Sequence, residues 1–193
     1  ATLTLCLLTA LTVLAQSPRA YQSPGTKRMA ERLAQIYRAQ DFRTDPSKDR
    51  ERAEYYREGL KQSLDIRTEL KARMALADAL LKAGDSAAAV SELESLRQMM
   101  KEKGIIPAEF FVKELRQLLA VAYLRLGEQE NCVLNHGLES CIFPIRASAQ
   151  HKLPRGAEGA IRELTATLKS DSKDFSARWL LNIANMVLGK TTA

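Results

Sequence analysis

The sequence predicts an all-α protein built from helix–turn–helix units, and three observations carry that prediction. Ala, Leu, Glu, Lys, Arg and Gln dominate the 193 residues, whereas aromatic residues make up 6% and Gly and Pro number 9 and 6; this is a palette of helix formers rather than strand formers. Apolar side chains recur at helical spacing, as in Met29, Leu33, Ile36 and Tyr37. Three segments also resemble one another: LADALLKAGDSAAAVSELESL (76–96), LAVAYLRLGEQENC (119–132) and LNIANMVLGK (181–190). Each has a Leu, a small or polar pair, an apolar run, and then Gly before a polar residue.

Length and composition bound the rest. The chain suffices for one domain or one short repeat array. With 46% apolar and 27% charged residues it is globular rather than disordered. Sparse glycine argues against phosphate-cradling loops and a parallel sheet. The net charge of +6 comes from charges of alternating sign, as in Lys48-Asp49-Arg50-Glu51-Arg52. Such runs are solvated helix faces with i,i+4 pairs, so no nucleic-acid partner is expected.

In chain order, Thr2 to Ala15 is an uncharged apolar run. It is shorter than the roughly twenty residues a membrane helix needs and fits the hydrophobic region of a signal peptide, a buried core helix being the other reading. Residues 1–15 are therefore expected to be removed before Gln16, with Ala20 as a second cleavage position. Leu5 directly before Cys6 argues against a lipoprotein box. The mature protein is expected to be secreted or periplasmic, with no stable membrane insertion. Residues 16–26, rich in Ser, Pro and Gly, read as a flexible linker. A helix is expected over 27–38, a turn at Thr44-Asp45-Pro46-Ser47, and a longer helix over 48–68 with Ala53, Tyr56, Leu60, Leu64 and Ile66 on its apolar side. The helical domain is expected to occupy 27–193.

The self-similar segments resemble the tetratricopeptide repeat, a helix–turn–helix of about 34 residues. The first unit carries Leu76, Ala77, Leu80 and Gly84, then Ala89, Val90, Leu93 and Leu96. The second carries Leu119, Ala120, Tyr123 and Gly127, with its second helix delayed to Ala160, Ile161, Leu164 and Leu168. The third carries Leu181 and Gly189. Gly84 and Gly127 are 43 residues apart, which leaves extra residues around Lys103-Gly104-Ile105-Ile106-Pro107. The intervals from Gly127 to Gly189 and from Gly127 to Ala160 both exceed the repeat by 28 residues. The agreement places one insertion, about 130–157, in the turn of the second repeat. The resemblance implies a right-handed array whose concave face docks peptides. Lys71, Met74, Asp78 and Lys82, then Gln117, Val121 and Arg125, then Trp179 and Ile183 would point there. Relatives that clamp a peptide carboxylate use Lys and Asn at two of these positions. Met74 and Asp78 stand there instead, so that clamp is absent. Trp179 has two readings, a packing residue between helices or a partner-facing anchor.

The insertion holds Cys132, His136, Cys141 and His151. With Cys6 removed, an oxidising compartment leaves Cys132 and Cys141 as an even pair, nine apart, expected to close a disulfide loop. A metal site is the alternative, either with reduced cysteines or through His136 and His151 alone, although C-x3-H-x4-C-x9-H fits no zinc-finger spacing. No G-x-S-x-G, H-E-x-x-H, P-loop or EF-hand occurs. Neither catalysis nor a cofactor is expected.

The insertion and its flanks resemble a family of exported bacterial proteins related to cartilage acidic protein. In these a tetratricopeptide segment precedes FG-GAP (VCBS-type) propeller repeats and an ASPIC/UnbV domain. The family pattern LRLGE-x-x-NC, NH, SC-x-x-PI, a Gly-rich turn ending in His, and RWLLNIA-x-M-x-LG is matched by Asn131, Cys132, Asn135, His136, Ser140, Cys141, Pro144, Ile145, His151 and 178–184. Ala147-Ser148-Ala149 replaces the Gly-rich turn. The resemblance implies a non-catalytic interaction module whose partner is a peptide, another protein, or a C-terminal propeller domain beyond this chain. The alternatives are a metal-binding or redox-accessory protein, or an accessory domain of a larger enzyme.

Overall fold

The computed structural model describes residues 23–43, 45, 47–140 and 142–190. The expected signal peptide, Cys6 and Cys141 lie outside them. Two compact units divide the chain, residues 1–41 and 42–193. Among the described residues every regular element is helical, and no helix is long and apolar enough to cross a membrane.

The first unit contains α1, Pro24–Ala39. It starts three residues before the expected helix because the end of the supposed linker is its cap. Ser23 Oγ accepts from the Thr26 amide at 3.2 Å, and Pro24 occupies the first turn, where its missing N–H costs nothing. No residue of α1 is buried, and Met29, Leu33 and Ile36 form an exposed apolar stripe.

Among the described residues, the second unit holds six further α-helices: α2 Asp49–Gly59, α3 Ile66–Lys82, α4 Ser86–Glu102, α5 Glu109–Glu128, α6 Arg155–Ser170 and α7 Phe175–Met186. Each packs on the next, and α3 also touches α5. A chain of neighbour contacts of this kind is how stacked hairpins bury a continuous core. One cluster gathers Leu76, Ala77, Leu80, Ala89, Leu93, Leu96 and Leu119, all buried. A second gathers Ala120, Ala160, Leu164, Ala177 and Ala184 between α5, α6 and α7.

The expected helix over 48–68 is two helices. Leu60 and Leu64 continue the helical period, but α2 ends at Gly59 and Asp65 caps a second helix. Its Oδ1 accepts from the amides of Arg67 and Thr68 at 3.0 and 3.1 Å, and Oδ2 accepts from Thr68 Oγ1 at 2.6 Å. A carboxylate that satisfies these orphan donors starts a new helix at Ile66. Upstream, Asp45 Oδ1 accepts from the Ser47 amide at 2.8 Å, as an Asx turn does.

The α3–α4 hairpin follows from three residues. Gly84 sits at φ 86, the left-handed conformation that a Cβ disfavours. The Asp85 amide then reaches Leu80 O at 2.9 Å and the Gly84 amide reaches Leu81 O at 3.1 Å, a Schellman closure. Asp85 next caps α4 by accepting from the Ala88 amide. Gly104 (φ 62) and Gly189 (φ 68) end α4 and α7 in the same way, with Ile105 N on Met100 O and Lys190 N on Asn185 O.

Gly127 does not behave as the repeat register requires. It is a buried residue inside α5, and the helix runs on into a single π-helical turn, Gln129–Val133. It is a packing residue rather than a turn residue, because the backbone of Gly156 approaches it too closely for a Cβ at position 156. Among the described residues, the stretch expected as the insertion holds little regular structure after Val133 beyond a short 3-10 turn, Ala147–Ala149.

Candidate functional site

Two places on the second unit collect residues with functional potential. The larger is an open groove of about 810 Å³ between α3 and the start of α5. Ile66, Leu70 and Met74 form one wall, and Ile106, Phe110 and Phe111 form the other. Arg67 and Lys71 stand against Asp78 and Glu114 around it, so the lining is apolar with mixed charge. Ile106 is 95% exposed and Phe110 68% exposed. Two large apolar groups left in water beside a groove mark a surface shaped for a partner rather than a core.

The expected partner-facing residues are distributed unevenly. Lys71, Met74 and Asp78 line this groove together. Lys82 lies further along α3, exposed and paired with Asp78 at 2.7 Å. Gln117, Val121 and Arg125 are exposed on α5 but do not line the groove. Arg125 is held by Glu128 at 2.7 Å. Trp179 is 64% exposed on α7 beside a 75% exposed Phe175, so it is not packed between helices. Ile183 faces a different pocket. Phe110, Phe111 and Ile106 were missed by the sequence reading. Their signal was the adjacent pair Phe110-Phe111 at a helix start, since neighbours 100° apart cannot both face one core.

The smaller place lies in the insertion. The π-helical turn carries Asn131 and Cys132 toward the segment that returns to α6. Asn131 is buried and clamps Leu153 from both sides: Nδ2 donates to Leu153 O at 3.0 Å, and Oδ1 accepts from the Leu153 amide at 2.8 Å. Nδ2 also donates to Gly127 O at 2.9 Å. The His151 amide donates to Val187 O at 2.8 Å, which ties the insertion to the end of α7. These bonds fix the His151 ring over Gly127 and put Nε2 3.7 Å from Cys132 Sγ. A pocket of about 80 Å³ opens beside them, lined by Leu124, Glu128, Phe143, Ile145, Ile183 and Val187 among others. Burial holds the His151 imidazole below its usual pKa range, and Glu128 opposes that shift. Its Nδ1 is buried without a hydrogen-bond partner.

The insertion's two histidines have different roles. His136 is exposed and its Nδ1–H donates to Cys132 O at 3.1 Å. His151 meets the sulfur. Among the described residues no three His, Cys, Asp or Glu side chains converge as metal ligands. The expected Cys132–Cys141 bridge has one partner outside the described residues.

No family model, no curated protein and no solved structure gives a significant match to this chain.

Proposed function

We propose that this chain is a non-catalytic interaction module that docks an apolar-faced peptide segment or neighbouring domain in the groove between α3 and α5. The observation that carries the reading is the exposed pair Ile106 and Phe110 across from Leu70 and Met74, with charges of both signs around them. Apolar anchors entering such a groove gain affinity by leaving water, and the charged residues around it set direction. The array is of the tetratricopeptide type, right-handed, and similar to the repeat segment of the exported cartilage acidic protein-related family. The uncharged run Thr2 to Ala15 supports export. A Cys132–Cys141 bridge closes the insertion, whose base Asn131 and His151 tie to Leu153 and Val187.

The test is selection of a displayed peptide library against the purified protein. Enriched peptides should carry two or three apolar anchors three to four residues apart. Their binding should fall at least tenfold in Met74→Glu and in Phe110→Ala. Enrichment of peptides whose affinity both substitutions leave unchanged would move the docking site elsewhere.

A further inference from the structure

The Cys132–His151 contact is unused by the groove reading and stands independently of it. Cys132 and His151 are 19 residues apart in an irregular segment, yet Sγ and Nε2 lie 3.7 Å from each other. The arrangement is built rather than incidental. A π-helical turn presents the cysteine, Asn131 clamps Leu153 two residues beyond the histidine, and the His151 amide is fixed on Val187. The ring lies over Gly127, its Cε1 and Nδ1 at ordinary contact distance, 3.4 Å, from where a Cβ would be. The neighbouring pocket is lined mostly by apolar side chains. Among the residues lining it, Glu128 is the other charged or titratable group besides this pair, and its carboxylate is engaged by Arg125.

We infer that Cys132 in the reduced chain is a nucleophilic thiol activated by His151, and that it exchanges with disulfides small enough to reach it. His151 Nε2 takes the proton from Cys132 Sγ. The thiolate attacks one sulfur of a disulfide RSSR, the S–S bond breaks, and a Cys132–S–SR mixed disulfide forms as RS⁻ leaves and is protonated. The cysteine sulfur is oxidised and the departing sulfur is reduced, so the step balances. The chemistry suits the site. The imidazole Nε2 stands within reach of the sulfur as a proton acceptor. Nδ1 has no partner, which leaves the sulfur to set the tautomer. A thiol becomes a nucleophile only as its thiolate, and an adjacent base raises that fraction.

The test uses the full chain with Cys6→Ser and Cys141→Ser, so that Cys132 is the one thiol. The probe is 2-hydroxyethyl disulfide, and mixed-disulfide formation is followed by mass spectrometry between pH 6 and pH 9.5. An unassisted thiol with a pKa of about 8.5 is only a few per cent ionised at neutral pH. The lower intrinsic nucleophilicity of an activated thiolate takes back part of the gain. His151→Gln and His151→Ala should therefore both react about five- to tenfold more slowly at pH 7, and at the parent rate above pH 9, where the thiol ionises unaided. A histidine that merely shielded the sulfur would give the opposite sign, because Ala opens the pocket. Rates at pH 7 that are unchanged or raised, or that fall by the same factor at every pH, would overturn the inference.

Discussion

Gly156 rests on Gly127 so closely that a Cβ at position 156 would lie 2.5 Å from the Gly127 nitrogen and 2.6 Å from its Cα. The obstacle is backbone, which cannot turn aside as a side chain can. This contact is where α6 leaves the insertion and settles on the end of α5. Both glycines are buried inside helices and neither has a positive φ, so close approach, not a turn, explains them.

The two glycines should therefore respond oppositely to alanine. Gly156→Ala forces α5 and α6 apart and should cost about 1–3 kcal/mol, the usual range for overpacking. At Gly127 an added Cβ meets the His151 ring at 3.4 Å, an ordinary contact. Helix propensity there favours alanine by about 1 kcal/mol. Gly127→Ala should leave the urea midpoint unchanged or raise it. Equal losses in both variants would contradict this assignment.

Ala89 tests the first hairpin. It is fully buried in the cluster with Leu76, Leu80 and Leu93. Ala89→Leu should overpack the hairpin and cost about 1–3 kcal/mol. Ala87, two residues earlier on the same helix, is exposed, and its leucine variant should unfold at the parent midpoint. Denaturant titration of the pair separates burial from any general effect of leucine.

How much of this was legible in the sequence depended on how local the determining contacts are. The α3–α4 hairpin could be read because Leu80, Gly84, Asp85 and Ala89 specify it within ten residues, through one Schellman closure and one cap. The break before Asp65 was hidden by Leu60 and Leu64, which keep the helical period across it. Helix α2 nevertheless ends at Gly59, and the Asp65 cap starts the next helix at Ile66. Gly127 misled because composition alone does not distinguish a turn glycine from a packing glycine; the difference lies in Gly156, 29 residues away. The groove was half legible. Lys71, Met74 and Asp78 followed from repeat register, but its other wall depends on how the Ile105–Pro107 connection folds back. The Cys132–His151 contact carries no periodic signal, since it arises only when Asn131 clamps Leu153.

Acidification should loosen the insertion before the helices. Burial lowers the His151 pKa in the folded protein, while Glu128 partly opposes the shift. The unfolded chain has the ordinary value of about 6.5. Above that pH the imidazole is neutral in both states and stability is unaffected. Below it the unfolded state binds the proton more readily, so stability falls as pH drops from about 6.5 toward the folded value. Hydrogen exchange at pH 7.5 and pH 5.5 should show selective loss of protection over 131–153, and His151→Gln should abolish the difference. Glu128→Gln removes the opposing charge and should enlarge it.

Glu163 gives the last prediction, and it concerns the ion pair that reaches from α6 to α4. Its side chain is only 5% exposed, and its carboxylate accepts from Arg97 at 2.8 Å. Arg97 also pairs with Glu94, which in turn accepts from the Tyr123 hydroxyl at 2.7 Å. Arg97 is 41% exposed, so water screens part of the attraction and the pair is worth less than a fully buried one. Removing the cation alone still leaves a carboxylate buried without its charge partner. Arg97→Ala should therefore cost about 2 kcal/mol, in the range for hydrogen bonds to charged groups. The double variant Arg97→Ala/Glu163→Gln should recover part of that loss, because a neutral amide is cheaper to bury unpaired than a carboxylate. Additive losses in the double-mutant cycle would show that the two side chains are not coupled.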